Sequence, residues 1–260
     1  MMGDVVAAEW WKLRSVRSTY VVLAATAIFT GFVLLLAFQM AHVWDGLSAD
    51  RRDDLLLRPL QELGGWAASL CLAILGVVSV TSEYRTGMIR ASLIAVPRRR
   101  ILLLAKATVI GAVALAVGEA VTVGSFLGTR LIIGDRPFPD QQASIAHDLP
   151  GFVLAGAVVP VFALLGLSLG VLLRSAAGSL VSVVFVWHVL PLLVYHLPGP
   201  WNERAGSVML AGLPRQIAGL SAENSVYGDL LSPGMAAVVL AAYALVPIGL
   251  AAIVLSRRDA

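Results

Sequence analysis

Gly166-Leu167-Ser168-Leu169-Gly170 carries the letters of the sharp turn that presents a serine nucleophile in hydrolases. That turn needs a strand before the serine and a helix after it, whereas here the letters lie in the middle of a long apolar run. Glycines four apart in such a run read instead as a helix-packing face. An intramembrane serine protease using Ser168 with His188 is the alternative. Leu169 argues against it, because those proteases carry Gly or Ala directly after the serine. His42, His147, His188 and His196 show no spacing that would set two rings on one helix face, so no metal site is expected. His42 and His196 fall at the ends of apolar runs, where an amphipathic ring is at home. Cys71 is the sole cysteine and reads as an inert buried thiol. A Gly-x-x-x-x-Gly-Lys-Ser/Thr phosphate loop does not occur, and neither Lys12 nor Lys106 follows a glycine. No catalytic residue and no bound cofactor are therefore expected on this chain.

The densest chemistry lies in Ser82-Glu83-Tyr84-Arg85-Thr86-Gly87-Met88-Ile89-Arg90-Ala91-Ser92-Leu93-Ile94-Ala95-Val96-Pro97-Arg98-Arg99-Arg100. Thr81 or Ser82 is placed to cap a new helix, with Glu83 at the positive end of its dipole. Gly87 permits a bend or a close backbone approach. Ile89, Leu93 and Val96 are spaced to form one apolar face, with Arg90 and Ser92 elsewhere. Pro97 restricts Val96 and stops the helix, which leaves Arg98, Arg99 and Arg100 at anionic headgroups. The expected element is a short, stiff helix parallel to a membrane, joined to an apolar run at each end. A basic loop with no role beyond topology is the plainer reading.

A bilayer follows from the composition. Of 260 residues 58% are hydrophobic and 13% charged, against about a quarter charged in soluble domains, and the mean hydropathy is +0.86. A water-soluble fold would expose far more apolar surface than soluble monomers tolerate. Six runs approach the ~20 residues that cross a hydrocarbon core: 21–40, 64–81, 108–133, 151–173, 179–197 and 235–255. They are apolar on every side, as membrane helices are, and lack the alternation of barrel strands. The fold class is all-α: a single polytopic membrane domain, 1–260, with six transmembrane helices. Pro160, Pro191 and Pro247 are expected to kink their helices. The start of the chain does not fit a secretory signal, since the first apolar run begins only after Tyr20 and is long enough to span.

Basic residues set the orientation. Lys12, Arg14, Arg17, Arg85, Arg90, Arg98, Arg99, Arg100, Lys106, Arg174, Arg257 and Arg258 fall on one side. Arg51, Arg52, Arg58, Arg130, Arg136, Arg204 and Arg215 fall on the other, with Asp45, Asp50, Asp53, Asp54, Asp135, Asp140 and Asp148. The richer side is cytoplasmic, and an even number of crossings puts both termini there. Before the first crossing, Val6, Trp10 and Leu13 share a face, while Glu9, Lys12 and Arg14 lie off it. Residues 4–18 read as an amphipathic helix along the membrane surface, or as an extension of the first span with snorkelling basic residues. The segment 198–232 reads either as short outer helices dipping partway into the membrane or as a surface loop.

The run Glu83-Tyr84-Arg85-Thr86-Gly87, followed ten residues on by Pro97-Arg98-Arg99, resembles the hallmark of type-2 ATP-binding-cassette (ABC) transporter permeases, most closely the small bacterial exporter subunits. Their pattern is Glu-Tyr-Arg-x-Gly-Thr, a hydrophobic helix and Pro-x-Arg; Met88 departs from the commoner Thr. The family's opening Glu-x-x-Lys-Leu-Arg also appears, as Glu9-Trp10-Trp11-Lys12-Leu13-Arg14. The resemblance extends from the interfacial helix to the sixth span.

It implies a dimer, identical or mixed, with two cytosolic ABC ATPase subunits below, ATP and Mg bound on those partners, and no nucleic acid. It makes 83–96 a coupling helix, with Glu83, Tyr84, Arg85, Gly87, Ile89, Arg90, Leu93, Pro97 and Arg99 toward the ATPase. It places the protein in the bacterial inner (plasma) membrane, exporting drugs, peptides, lipids or polysaccharides. Glu119 is the acid well inside a span, where an unpaired carboxylate costs roughly 2.5–3.5 kcal/mol. It reads either as part of the translocation path or subunit interface, or as a structural hydrogen bond to a neighbouring helix. A secondary transporter or channel is the alternative function; it would show ionisable residues on several spans and repeat symmetry.

Overall fold

The computed structural model describes residues 2–48, 60–136, 144–219, 228 and 230–257. The expected outer-loop charges Arg51, Arg52, Arg58, Asp50, Asp53, Asp54 and Asp140, and the terminal Arg258, lie outside them. All regular structure among the described residues is helical. In chain order the elements are α1 (Met2–Ser15), α2 (Arg17–Gly46), α3 (Leu60–Thr86), α4 (Met88–Ala95), α5 (Arg99–Ile133) and α6 (Ile145–Leu173). They continue with α7 (Ala176–Tyr195), α8 (Trp201–Ser207), α9 (Leu213–Ile217) and α10 (Pro233–Arg257). Helices α2, α3, α5, α6, α7 and α10 are each long and apolar enough to cross a membrane, which makes this a multi-pass membrane protein. Most extend beyond their apolar runs, α5 by starting at Arg99 rather than near 108.

Between helices in lipid there is little hydrophobic drive, so small residues that bring backbones together decide the packing. Helices α3 and α6 use this fully. A Cβ on Gly76 would strike the Ala163 carbonyl, and one on Gly166 would strike the Ala73 carbonyl. Gly170 faces Val80 and Val77. Ser168 is fully buried on the same helix and its Oγ donates to the Leu164 carbonyl at 2.7 Å. His188 accepts a hydrogen bond from Trp66 Nε1 at 3.2 Å. The packing-face reading of the Gly-Leu-Ser-Leu-Gly letters therefore holds, and both polar groups of the protease alternative are engaged elsewhere. Leu72, Leu75, Ile110, Ala114, Val159 and Ala163 fill the centre between α3, α5 and α6. Helices α2, α7 and α10 pack around this trio and leave large apolar side chains outward, such as Ile28, Val181 and Leu245, as membrane-facing helices do.

In α7 the backbone forms a π turn over Phe185–Val189, directly before Pro191. Proline cannot donate to the carbonyl four residues back and crowds it, and a π turn is one way a helix absorbs that conflict. In the segment after α7, two short helices form. Leu213 and Gln216 of α9 are buried against the bundle. Gln216 Nε2 donates to the Ser207 carbonyl at 2.8 Å, and its Oε1 accepts from the Leu231 amide at 2.9 Å. Tyr243 of α10 donates to the Val208 carbonyl at 3.1 Å. The described backbone between α8 and α10 is thus met by protein groups at Ser207, Val208 and Leu231, the condition for non-helical chain near a membrane.

Candidate functional site

Helix α3 does not stop at the membrane edge. It runs through Thr81, Ser82 and Glu83 to Thr86, so the expected cap at Thr81 or Ser82 is overturned. Thr81 Oγ1 instead donates within the helix to the Val77 carbonyl, at 2.9 Å. The break falls at Gly87, whose φ of 72° and ψ of 1° are left-handed. That conformation costs a β-carbon-bearing residue about 1–2 kcal/mol, which gives the glycine of the motif its reason. Helix α4 then runs from Met88 to Ala95 and ends before Pro97.

The underside of α4 is pinned. Ile89 is buried among Val5, Leu102 and Ala105. Ser92, expected off the apolar face, is buried as well, because it meets charge rather than lipid. Arg85, Met88, Arg90, Ala91 and Ile94 are exposed, with Ile94 81% accessible. Leu93 is half-buried and Pro97 exposed. Tyr84 is half-buried, and the Arg174 guanidinium lies 5.1 Å from its ring centre. Arg99 donates to the Leu255 carbonyl at 3.0 Å, tying the start of α5 to the end of α10.

At the junction of α1, α3, α4 and α5 sit Glu9, Lys12, Glu83, Ser92 and Lys106. Glu9 Oε1 accepts from Lys12 Nζ at 2.6 Å, and its Oε2 accepts from Lys106 Nζ. Glu83 Oε1 accepts from Lys106 at 2.8 Å and lies 3.3 Å from Lys12. Lys12 also donates to Ser92 Oγ at 2.9 Å, and the Ser92 hydroxyl donates in turn to the Met88 carbonyl at 3.1 Å. Two acids and two lysines make a neutral group in which Glu9, Glu83 and Lys106 are nearly wholly buried. A cavity of about 40 Å³ beside them, lined by Ser79, Ser82 and Glu83 among others, has room for water. Burial pulls the Lys12 ammonium toward lower pKa. The hydrogen bond it donates to Glu9 and the charges of Glu83 and Glu9 outweigh it and hold the pKa above its ordinary value.

Two expectations change here. Glu9, read as lying off the apolar face of the N-terminal helix, is on its buried face with Val5 and Leu13, while Trp10 is exposed. The spacing 5, 9, 13 is helical; an acid was assigned to water by type, and its lysine partners were invisible in a one-dimensional pattern. Lys106, counted as a loop charge, sits inside α5 and is buried. A signal did exist: of 19 basic residues only two are lysine, and both fall in this cluster. The exposed side of α1 carries Trp10, Trp11 and Arg14, whose guanidinium lies 5.4 Å from the Trp11 ring. That face suits a headgroup layer.

Glu119 is half-buried on α5 and packs against Gly156 of α6, where a Cβ would come within 2.8 Å of Glu119 Oε2 and 2.7 Å of Thr122 Oγ1. It is far along α5 from the cluster and forms no part of it. Among the described residues no group of three metal-ligating side chains occurs.

The profile of the family described as ABC-2 family transporter protein matches residues 5–190. The match takes in α1, the motif segment, α4 and the cluster, and it ends inside α7, short of the sixth span to which the motif resemblance was extended. No curated protein matches the chain. With most of its length covered, the chain belongs to the ABC-2 transporter family.

Proposed function

We propose that this ABC-2 family chain is the permease subunit of an ATP-driven exporter, working as a dimer above two separate cytosolic ATPase subunits that bind and hydrolyse ATP with Mg. The observation that carries the reading is α4: a short helix fixed by its underside to three other helices, with Arg90 and Ile94 turned outward and Arg85 exposed on the adjoining last turn of α3. An exposed isoleucine flanked by arginines suits a cleft with an apolar floor and an acidic rim. Force applied to α4 is not absorbed by a loop. Gly87 hands it to α3, the Lys12–Ser92 bond hands it to α1, and the packing of Ile89 on Leu102 and Ala105 hands it to α5. In this reading Glu83 transmits rather than touches the ATPase, since it is 2% exposed. The excess of basic residues at the α4 end supports a cytosolic location for that end and for both termini, in a bacterial inner membrane. The outward apolar faces of α2, α7 and α10 are available to lipid and to a second permease copy.

The test is co-purification from the native membrane. The wild-type chain is expected to bring down an ATPase with Walker motifs. Arg90→Glu and Ile94→Asp, both on the exposed face, are expected to lower its recovery about tenfold or more with the permease still monodisperse. Wild-type chain isolated without any nucleotide-hydrolysing companion, or moving cargo alone in vesicles without ATP, would refute the proposal and favour a secondary transporter.

A further inference from the structure

At the end of the bundle opposite α4 lies a cavity of about 390 Å³, within the size range of small-molecule sites. It is bounded by α3, α5, α6, α7 and α9 within a single chain. Its walls are aromatic: Trp66, Phe152, Phe162 and Trp187. The π turn of α7 builds this wall. It presents Trp187 to Phe162 at 4.5 Å between ring centres, and the next residue, His188, to Trp66 through the Nε1–H bond. The indoles of Trp66 and Trp187 are thereby held 5.6 Å apart. A π turn inside a helix frequently marks a functional site.

Charge is confined to the rim. Asp148 is already neutralised by Arg130 at 2.7 Å. Glu62 and Arg215 face each other at a single contact of 3.2 Å, and both are half-exposed. A pair of that kind is worth little in water and separates at small cost. One open acid and one open base above an aromatic pit match a ligand that carries one positive and one negative group on an apolar tail.

We propose that this cavity binds a zwitterionic amphiphile of the phosphocholine or phosphoethanolamine type. Its phosphate takes the Arg215 guanidinium as a charge-assisted contact, its ammonium takes Glu62 and the face of Trp66, and the first carbons of the tail lie between Phe152, Phe162 and Trp187. The volume admits the headgroup and the start of a chain, so the rest of the tail lies outside the cavity. The site requires neither nucleotide nor a second subunit, and it stands apart from the coupling role of α4.

The experiment uses the purified full chain in uncharged maltoside micelles and follows quenching of tryptophan emission. Three probes share one brominated alkyl tail and differ in headgroup: phosphocholine, phosphate and trimethylammonium. The phosphocholine probe is expected to half-saturate at a concentration about tenfold lower than either singly charged probe, with Glu62→Gln and Arg215→Gln each erasing most of that preference. The double variant Trp66→Phe/Trp187→Phe is expected to lose the saturable part of the quenching. Equal half-saturation for all three headgroups, a preference for either singly charged probe, or saturable quenching that persists in the double tryptophan variant would each overturn the site. The last would mark amphiphile bound around the outside of the bundle.

Discussion

Replacing Lys106 by Met keeps the length and volume of the side chain and removes one charge from the cluster. The Lys106 side chain is 6% exposed and the two carboxylates it holds are 3% and 2% exposed. Breaking a buried pair from one side costs about 3–5 kcal/mol, because the remaining charge has no solvent to return to. Lys12 remains and, at 28% exposure, still reaches Glu9 and Glu83, so the lower end applies. At 1.36 kcal/mol per tenfold, about 3 kcal/mol raises the open fraction of α1 by on the order of a hundredfold. The assay is hydrogen–deuterium exchange of the amides of α1 and, as reference, of the α6 segment around Gly166. Exchange in α1 is expected to accelerate by about two orders of magnitude while α6 is unchanged, since local opening and global unfolding are separate events. Glu83→Gln in the Lys106→Met background removes one orphaned charge and is expected to restore roughly 1–2 kcal/mol of that loss. Exchange of α1 within about threefold of wild type in Lys106→Met, or acceleration of α1 and α6 together, would refute the view of the cluster as a local clamp.

Ser92→Ala removes the acceptor for Lys12 on α4 and is expected to cost about 1 kcal/mol, read as a roughly fivefold faster α1 exchange with α4 still helical by its own protection. The raised pKa of Lys12 means that its share of the clamp is fully present below about 10.5, its ordinary value, and is lost as pH rises through the higher value of the folded state. Emission from Trp10 and Trp11 in a variant lacking the other tryptophans is therefore expected to stay flat from about pH 7 to 9 and to shift only above about 10.5; a transition near neutrality would contradict the assigned ion pairs. Gly166→Leu drives a side chain into the Ala73 carbonyl and is expected to cost more than the ~1–3 kcal/mol of ordinary overpacking, seen as loss of monodisperse protein on size exclusion. Glu119→Gln, assembled with the proposed ATPase subunits, is expected to lose transport with normal assembly if the carboxylate lies on the cargo path, and unchanged transport would reject that role.

Much of the molecule was legible without coordinates, because a bilayer makes the sequence explicit. A crossing helix satisfies its own backbone and must be apolar for its full length, so length and hydropathy alone marked the crossings. A proline after Val96 ended α4 for a local steric reason, whereas its start was misplaced at Thr81 or Ser82, because only the backbone shows that the bend Gly87 permits is the break between two helices. The Gly166 and Gly170 spacing announced close packing, since small residues four apart line one face of a helix.

Beyond the hint of the chain's two lysines, the clamp was not legible. Glu9, Glu83, Ser92 and Lys106 are polar types in a basic stretch, and a pattern that sorts residues by affinity for water assigns each of them outward. Their burial depends on partners up to 97 positions away in sequence, as for Lys106 and Glu9. A charge goes inside only where an opposite charge is already held, and that coincidence exists only once α1 has folded back across α3, α4 and α5. The same holds for the opposite end, where a π turn and a nine-residue hydrogen bond from Gln216 to Ser207 decide which aromatic rings meet. Local propensity and the bilayer set the helices; the encounter of distant side chains in three dimensions set what those helices hold between them.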